Sequence, residues 1–281
     1  MDNSPPASSW WARNDFLIRR LHSLSGLIPV GAYMVVHLLT NASINNSVLT
    51  FVNSVFAIHS LGNLLPVVEW GFIFLPILFH AILGVIIIRE GTPNQNSYRY
   101  TNNYRYTLQR ATGMIAFVFI VWHVFHMHGW FHFAAWQEVT DALGGAKFRA
   151  YNAASTAAEA LQGPGAIVVN ILYTIGVLSC VFHLANGIWT MGITWGLWVT
   201  PASQRWANYL SVGFGVLLAM VALSAQFGFA TLDAEAARKI EDETYEARVA
   251  AGLVEPNEHK RKHDSPHATG DETKGAETTK E

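Results

Sequence analysis

The chain has 281 residues, of which 51% are hydrophobic and only 14% charged, against about 25% charged in a soluble domain. The charge is also uneven, because 13 of the 20 acidic and 8 of the 18 basic residues lie from Asp233 onward; the first 232 positions are too poor in charge to cover a water-facing surface. This excludes a soluble enzyme, a nucleic-acid binder or a disordered chain as the main reading, and the single cysteine, Cys180, excludes disulfide frameworks, thiolate-held iron–sulfur clusters and covalently attached c-type haem.

The N-terminal Met1–Trp11 contains Pro5 and Pro6 and no short apolar core before a small-residue cleavage site, so it does not read as a signal peptide. Five stretches then reach the roughly 20 mostly apolar residues that a spanning helix needs. They are Leu24–Ile44, Leu64–Ile88, Ala111–Trp130, Ala166–Trp189 and Ala207–Phe229. Trp10, Trp11, Trp130, Trp195, Trp198 and Trp206 crowd their ends, as in an interfacial belt. Phe131–Gln162 forms a long insert between the third and fourth. After the fifth, Asp233–Val249 is rich in Ala, Glu and Arg and predicts a helix. From Glu255 the composition predicts disorder, and His259, His263 and His267 read as solvated rather than metal-binding. The fold class expected is an all-α membrane protein with five transmembrane helices, the first four forming a bundle. Residues 1–230 form the membrane domain and 231–281 a polar, partly disordered tail.

Lys and Arg in short loops set orientation. Arg13, Arg19, Arg20, Arg89, Arg99, Arg105, Arg110 and Arg205 fall on one side, against Lys147 and Arg149 on the other. The N-terminus is therefore expected in the cytoplasm and the C-terminus outside.

Ionisable residues within spans are rare and mark function. Four spans each hold one histidine: His37, His80, His123 and His183. One buried histidine is explained by ordinary hydrogen bonding; four on four helices need more, and depth supplies it. At about 1.5 Å rise per residue, His37 and His123 lie roughly 20 and 18 Å from the cytoplasmic ends of their spans, His80 and His183 roughly 12 and 9 Å. They sort into an outer pair, His37 with His123, and an inner pair, His80 with His183. Two axial imidazoles from different helices suit a six-coordinate haem iron that transfers electrons. The motif Phe-His-x-x-x-Gly occurs twice, at Phe79-His80 with Gly84 and at Phe182-His183 with Gly187. Each glycine lies on its histidine's own face, where a flat macrocycle has room to approach; close helix packing explains such glycines equally well. Quinol–cytochrome c oxidoreductases put two histidines on each of two helices, so the one-per-helix pattern departs from that type.

These residues carry a resemblance. Arg19-Arg20-Leu21-His22-Ser23-Leu24-Ser25-Gly26, Ile28-Pro29-Val30-Gly31 and His37-Leu38-Leu39-Thr40-Asn41 open it. Leu108-Gln109-Arg110-Ala111-Thr112-Gly113, Trp122-His123, Phe182-His183-Leu184-Ala185-Asn186-Gly187 and Thr200-Pro201-Ala202-Ser203-Gln204-Arg205 continue it. Together they resemble the cytochrome b558 family of Gram-positive type, the di-haem membrane anchors of succinate:menaquinone oxidoreductases and their fumarate reductase relatives. The likeness covers about Phe16–Phe229. It implies two b haems with His37, His80, His123 and His183 as axial ligands. It also implies docking to an iron–sulfur subunit and a flavoprotein on the cytoplasmic side of a bacterial membrane, and electron transfer to a quinone, menaquinone in this family. The insert and the tail are longer than the pattern.

The chain has no flavin or nicotinamide fingerprint and is expected to serve as an electron-transfer subunit without a succinate-oxidising site. Glu69, the sole acid inside a span, is the first candidate for a quinone site, since a carboxyl near the outer face can relay protons. Arg19, His22 and Ser25 at the mouth of the first span are the second, with contact to a haem propionate or the iron–sulfur subunit as the other reading of the arginines. His126, His128 and His132 read as interfacial. Two other functions fit the same features. One is the cytochrome b anchor of another quinone-linked dehydrogenase; the other is a proton-coupled transporter, for which Pro29, Pro66 and Pro76 supply helix breaks.

Overall fold

A computed structural model describes residues 10–90, 101–131, 133–257 and 260–261. Arg99, His132, His259, His263 and His267 fall outside them. The helices, in chain order, are α1 (Arg13–Asn45), α2 (Val48–His59), α3 (Gly62–Arg89), α4 (Asn103–His128), α5 (Ala134–Ala142), α6 (Ala153–Gln162), α7 (Ala166–Thr194), α8 (Pro201–Thr231) and α9 (Ala234–Ala250). Of these α1, α3, α4, α7 and α8 are long and apolar enough to cross a membrane. No strand occurs among the described residues.

The helix ends differ from those read off hydropathy for a physical reason. Hydropathy falls where charge begins, whereas a helix continues until something breaks it. Nothing does so between Trp10 and Ser25, so helix runs through Arg13, Arg19 and Arg20 before the apolar stretch. The same holds for Arg105 and Gln109, which lie inside α4. Helix α2 is absent from the sequence expectation because its 12 residues are too few to span; Ser47 caps it by accepting from the Thr50 N–H, and Phe51, Val52 and Val55 are buried.

Pro29 and Pro76 bulge their helices without breaking them. Pro29 lies in a π-helical stretch, Gly26–Gly31, and Pro76 follows another, Glu69–Phe74. A proline lacks an N–H and crowds the carbonyl four residues back; a wider turn absorbs both and lets the helix go on.

Helix α1 packs on α3 and α7, and α4 packs on the same two. The four therefore form a ring in which α1 faces α4, and α3 faces α7, across the interior. Helix α8 packs outside the ring on α7 and α1, through Leu38, Val181, Leu184, Leu218 and Ala222. Ile167 is 78% and Leu210 72% exposed among many apolar neighbours, a surface that lipid solvates and water does not.

At the end remote from the N-terminus the connections fold into a cap. After α4 the chain turns at Gly129 (φ 81°) and Trp130 (φ 65°). It then returns across the last turn of α4. The N–H groups of Ala146, Lys147 and Phe148 donate to the carbonyls of Phe125, His126 and Met127 at 3.1, 3.0 and 2.9 Å. The His126 and Met127 carbonyls are among the last of the helix, which have no N–H partner within it; that of Phe125 also accepts from the Gly129 N–H at 3.0 Å. Helix α6 is buried beneath α9, with Ala153, Ala154 and Ala158 at 0% exposure. Glu241 of α9, 1% exposed, caps it: the carboxylate accepts from the Ala154 N–H (2.5 Å), the Ser155 N–H (3.2 Å) and the Ser155 hydroxyl (2.5 Å). A negative group at a helix N-terminus also meets a favourable dipole. Burial nonetheless pushes the Glu241 carboxyl up to about 7, against the pull of those donors. An Arg238–Glu159 ion pair and a 2.7 Å bond from Arg248 to Asn53 fasten α9 to α6 and α2.

The helix expected over Asp233–Val249 is thus present and docked. The expected disorder from Glu255 does not extend to Asn257 and Arg261. The Asn257 N–H donates to the Tyr245 hydroxyl at 3.1 Å and Arg261 pairs with Asp242 at 2.8 Å. Polar partners on α9 hold what composition alone reads as free chain.

Candidate functional site

The ring brings the four intramembrane histidines together two by two. His37 on α1 and His123 on α4 have ring centres 6.0 Å apart and planes at 72°. His80 on α3 and His183 on α7 are also 6.0 Å apart, at 84°. Each pair crosses a diagonal of the ring. The inner pair, toward the N-terminal end of the bundle, is His80 with His183; the outer pair, toward the cap, is His37 with His123. A metal about 2 Å from one nitrogen of each ring puts imidazole centres roughly 6 Å apart.

Both inner histidines are held the same way. His80 Nδ1 lies 2.9 Å from the His22 carbonyl, and His183 Nδ1 lies 3.0 Å from the Gln109 carbonyl. A carbonyl only accepts, so the proton sits on Nδ1 and Nε2 is left free as a ligand. Each ring lies on a glycine four residues past the carbonyl it uses. A Cβ on Gly26 would be 2.3 Å from His80 Cε1, and one on Gly113 would be 2.8 Å from His183 Cε1. The shared pattern, a serine or threonine followed by glycine in His22–Gly26 and in Gln109–Gly113, is visible in the sequence, but its meaning requires the partner helix. The glycines singled out from sequence behave differently. A Cβ on Gly84 would meet His22 at 3.4 Å and one on Gly187 would meet Gln109 at 3.7 Å, both ordinary contacts. Helix packing does not require either glycine.

The residues at the mouth of α1 do not converge on one point. Arg19 pairs with Asp15 at 2.8 Å. The Ser25 hydroxyl donates to the His22 carbonyl at 2.9 Å. His22 alone faces the inner pair, its ring stacked on His80 at 4.0 Å and 10°. Arg20 donates to the Thr194 carbonyl at 3.2 Å. Arg20 Nε and His22 Nδ1 are buried without a hydrogen-bond partner among the described residues. An apolar groove of about 300 Å³, lined by Leu21, Ser25, Pro29 and Phe79 among others, opens on the same side.

At the outer pair, Tyr33 stacks on His37 at 5.5 Å and 27°. On the other side, His123 Nδ1 lies 3.2 Å from the Tyr173 hydroxyl, and His126 Nδ1 lies 3.0 Å from the same hydroxyl. His126, near the end of its span, is buried within the protein at 8% exposure: the segment 146–148 closes over the end of α4, and Trp122 stacks on the ring at 5.0 Å and 8°. The signal available in sequence was the spacing of three from His123, which puts both on one helix face.

This chemistry suits a haem in three respects. Imidazoles oppose one another at metal-bridging distance, Nδ1 protons are committed to acceptors at His80 and His183, and the buried Nδ1 of His22, without a partner among the described residues, lies beside the inner pair.

Fold and site define a multi-pass helical membrane protein of cytochrome b build. Over 221 residues the chain is 36% identical to the succinate dehydrogenase cytochrome b558 subunit of Bacillus subtilis strain 168, an alignment covering 76% of this chain and 97% of that protein. The chain belongs to the succinate dehydrogenase cytochrome b558 subunit family. No family model and no solved structure matches it.

Proposed function

We propose that this chain carries electrons from the iron–sulfur subunit of a succinate dehydrogenase, through two b haems, to a membrane quinone, menaquinone by family. His80 and His183 hold the inner haem and His37 and His123 the outer one. Haem supplies reversible one-electron chemistry when bound; the chain supplies the rest. Its four histidines would hold the two irons in pairs, one imidazole from each of two facing helices. Arg20 and His22 offer unpaired donors to the propionates, and Gly84 and Gly187 leave room for the macrocycle edges. Glu69, with Tyr33, delivers protons to a quinone at the outer end. Ser25 and the groove beside it are the second quinone location, with Arg19 at its rim.

The arginine-rich end of the bundle faces the cytoplasm and the docked iron–sulfur and flavoprotein subunits, in a bacterial cytoplasmic membrane. Residues 1–230 form the anchor, and the segment from 231 builds part of an outer cap.

The observation that carries this reading is the pair of 6.0 Å imidazole contacts across both diagonals of one helix ring. The test is assembly with the succinate-oxidising subunits. His37→Ala and His123→Ala should each lose one haem and quinone reduction while succinate oxidation with an artificial acceptor persists. A colourless purified protein would favour the transporter reading. Reduction of quinone only with another dehydrogenase would favour the other anchor.

A further inference from the structure

The two histidine pairs differ in what holds them. His80 and His183 donate to backbone carbonyls, which no substitution can remove. His123 instead meets a side chain, the Tyr173 hydroxyl, which is shared with His126. Tyr173 is 7% and His126 8% exposed. Neither belongs to the ligand set, and burying a hydroxyl and an imidazole is costly unless they pair.

Once His123 ligates through Nε2, only one arrangement of protons satisfies all three groups. A His123 ligating through Nε2 carries its proton on Nδ1 and donates to the Tyr173 oxygen. The Tyr173 O–H is then free to donate onward, and His126 Nδ1 accepts it. His126 is thereby fixed as the Nε2–H tautomer. Its ring is clamped by Trp122 on one face, and its backbone carbonyl by the Lys147 N–H of the insert.

We propose that Tyr173 is a positioning residue for His123 and that His126 sets the direction of the Tyr173 hydroxyl, so that this directional chain tunes the outer haem and leaves the inner one alone. The proposal rests on His123 being an outer haem ligand. A hydrogen bond accepted from a ligand's N–H orients the ring and raises its basicity. A more basic ligand favours the oxidised iron, so losing the bond raises the reduction potential. The Phe131–Gln162 insert gains a role on this account: its return across α4 holds the last member of the chain in place.

The experiment is a redox titration of the assembled complex, followed by absorption and low-spin electron paramagnetic resonance. Tyr173→Phe keeps the ring and removes the acceptor. It should retain two haems and shift the outer haem's reduction equilibrium about tenfold, or about 59 mV for one electron, with the inner haem unmoved as internal reference. His126→Leu should shift the outer haem in the same direction. His126→Asn, whose side-chain oxygen replaces Nδ1 as acceptor, should restore the wild-type potential. Loss of the outer haem alone in Tyr173→Phe also supports the proposal. Unchanged potentials in Tyr173→Phe, or equal shifts in both haems, overturn it, and identical behaviour of His126→Leu and His126→Asn overturns the part played by His126. His123→Ala separates this from the underlying assignment: two haems retained there would sink the ligand reading itself.

Discussion

Replacing Gly26 with alanine would place a methyl carbon 2.3 Å from Cε1 and 2.6 Å from Nδ1 of His80, where ordinary contact begins at 3.4 Å. The ring has to withdraw by about 1.1 Å, the shortfall between 2.3 and 3.4 Å, which overpacks its other side. The 2.9 Å bond from His80 to the His22 carbonyl does not survive such a shift. Overpacking costs about 1–3 kcal/mol and a lost hydrogen bond about 1 kcal/mol. Together these weaken whatever His80 holds by roughly thirty-fold or more, at 1.4 kcal/mol per factor of ten. Gly113→Ala is milder, with 2.8 Å to His183 Cε1. Inner haem content should therefore fall in both variants and further in Gly26→Ala, with the outer haem kept. Gly84→Ala and Gly187→Ala are the informative controls. Their methyl groups meet protein only at 3.4 and 3.7 Å, so any haem they lose is displaced by contact with the macrocycle itself. The assay is haem per chain from reduced-minus-oxidised absorption, with circular dichroism to confirm helix content. A Gly26→Ala protein with two haems and an unaltered spectrum would refute the reasoning.

Three further outcomes are expected. Glu69→Gln should slow succinate-driven quinone reduction while both haem spectra stay intact, because electrons still arrive and protons do not; unchanged turnover would move the quinone site to the groove beside Ser25. If electrons cross to an outer quinone, turnover in vesicles should respond to membrane potential, at up to about 2.3 kcal/mol per charge per 100 mV, and insensitivity would place reduction on the cytoplasmic side. The cap should depend on pH through Glu241, whose folded-state pKa is raised to about 7 by burial. The folded cap then holds a proton that the unfolded chain gives up, so its stability is greatest below about pH 4.5 and declines as pH rises through 7, by about 3 kcal/mol in all. Protease resistance of the cap should accordingly be higher at pH 5 than at pH 8, and Glu241→Gln should flatten that difference; an unflattened profile would assign the titration elsewhere.

Much of the bundle is legible in the sequence because the bilayer simplifies the physics. A span must be long and apolar, its few polar residues must have partners, and helical rise converts residue number into depth. That is enough to sort His37 with His123 and His80 with His183. What was not legible depends on contacts between helices. Gly26 and Gly113 look like any small residue until His80 and His183 are seen lying on them. His126 carries a polar side chain near a span end, and only the insert's return over α4 buries it. Helix α9 was legible as a helix but its docking was not, because beside Ala237 and Tyr245 it buries Glu241, a carboxylate on the N-terminus of α6 where composition expects solvent.

The central claim is that one chain holds two haems, each between two of these histidines. Haem quantified per chain during a redox titration of the purified complex tests it most directly. The account predicts two b-type haems titrating in the wild type and one in each of His37→Ala, His80→Ala, His123→Ala and His183→Ala. The same haem should disappear within a pair and a different one between pairs. A single haem in the wild type, or a loss pattern that groups His37 with His80, would contradict it.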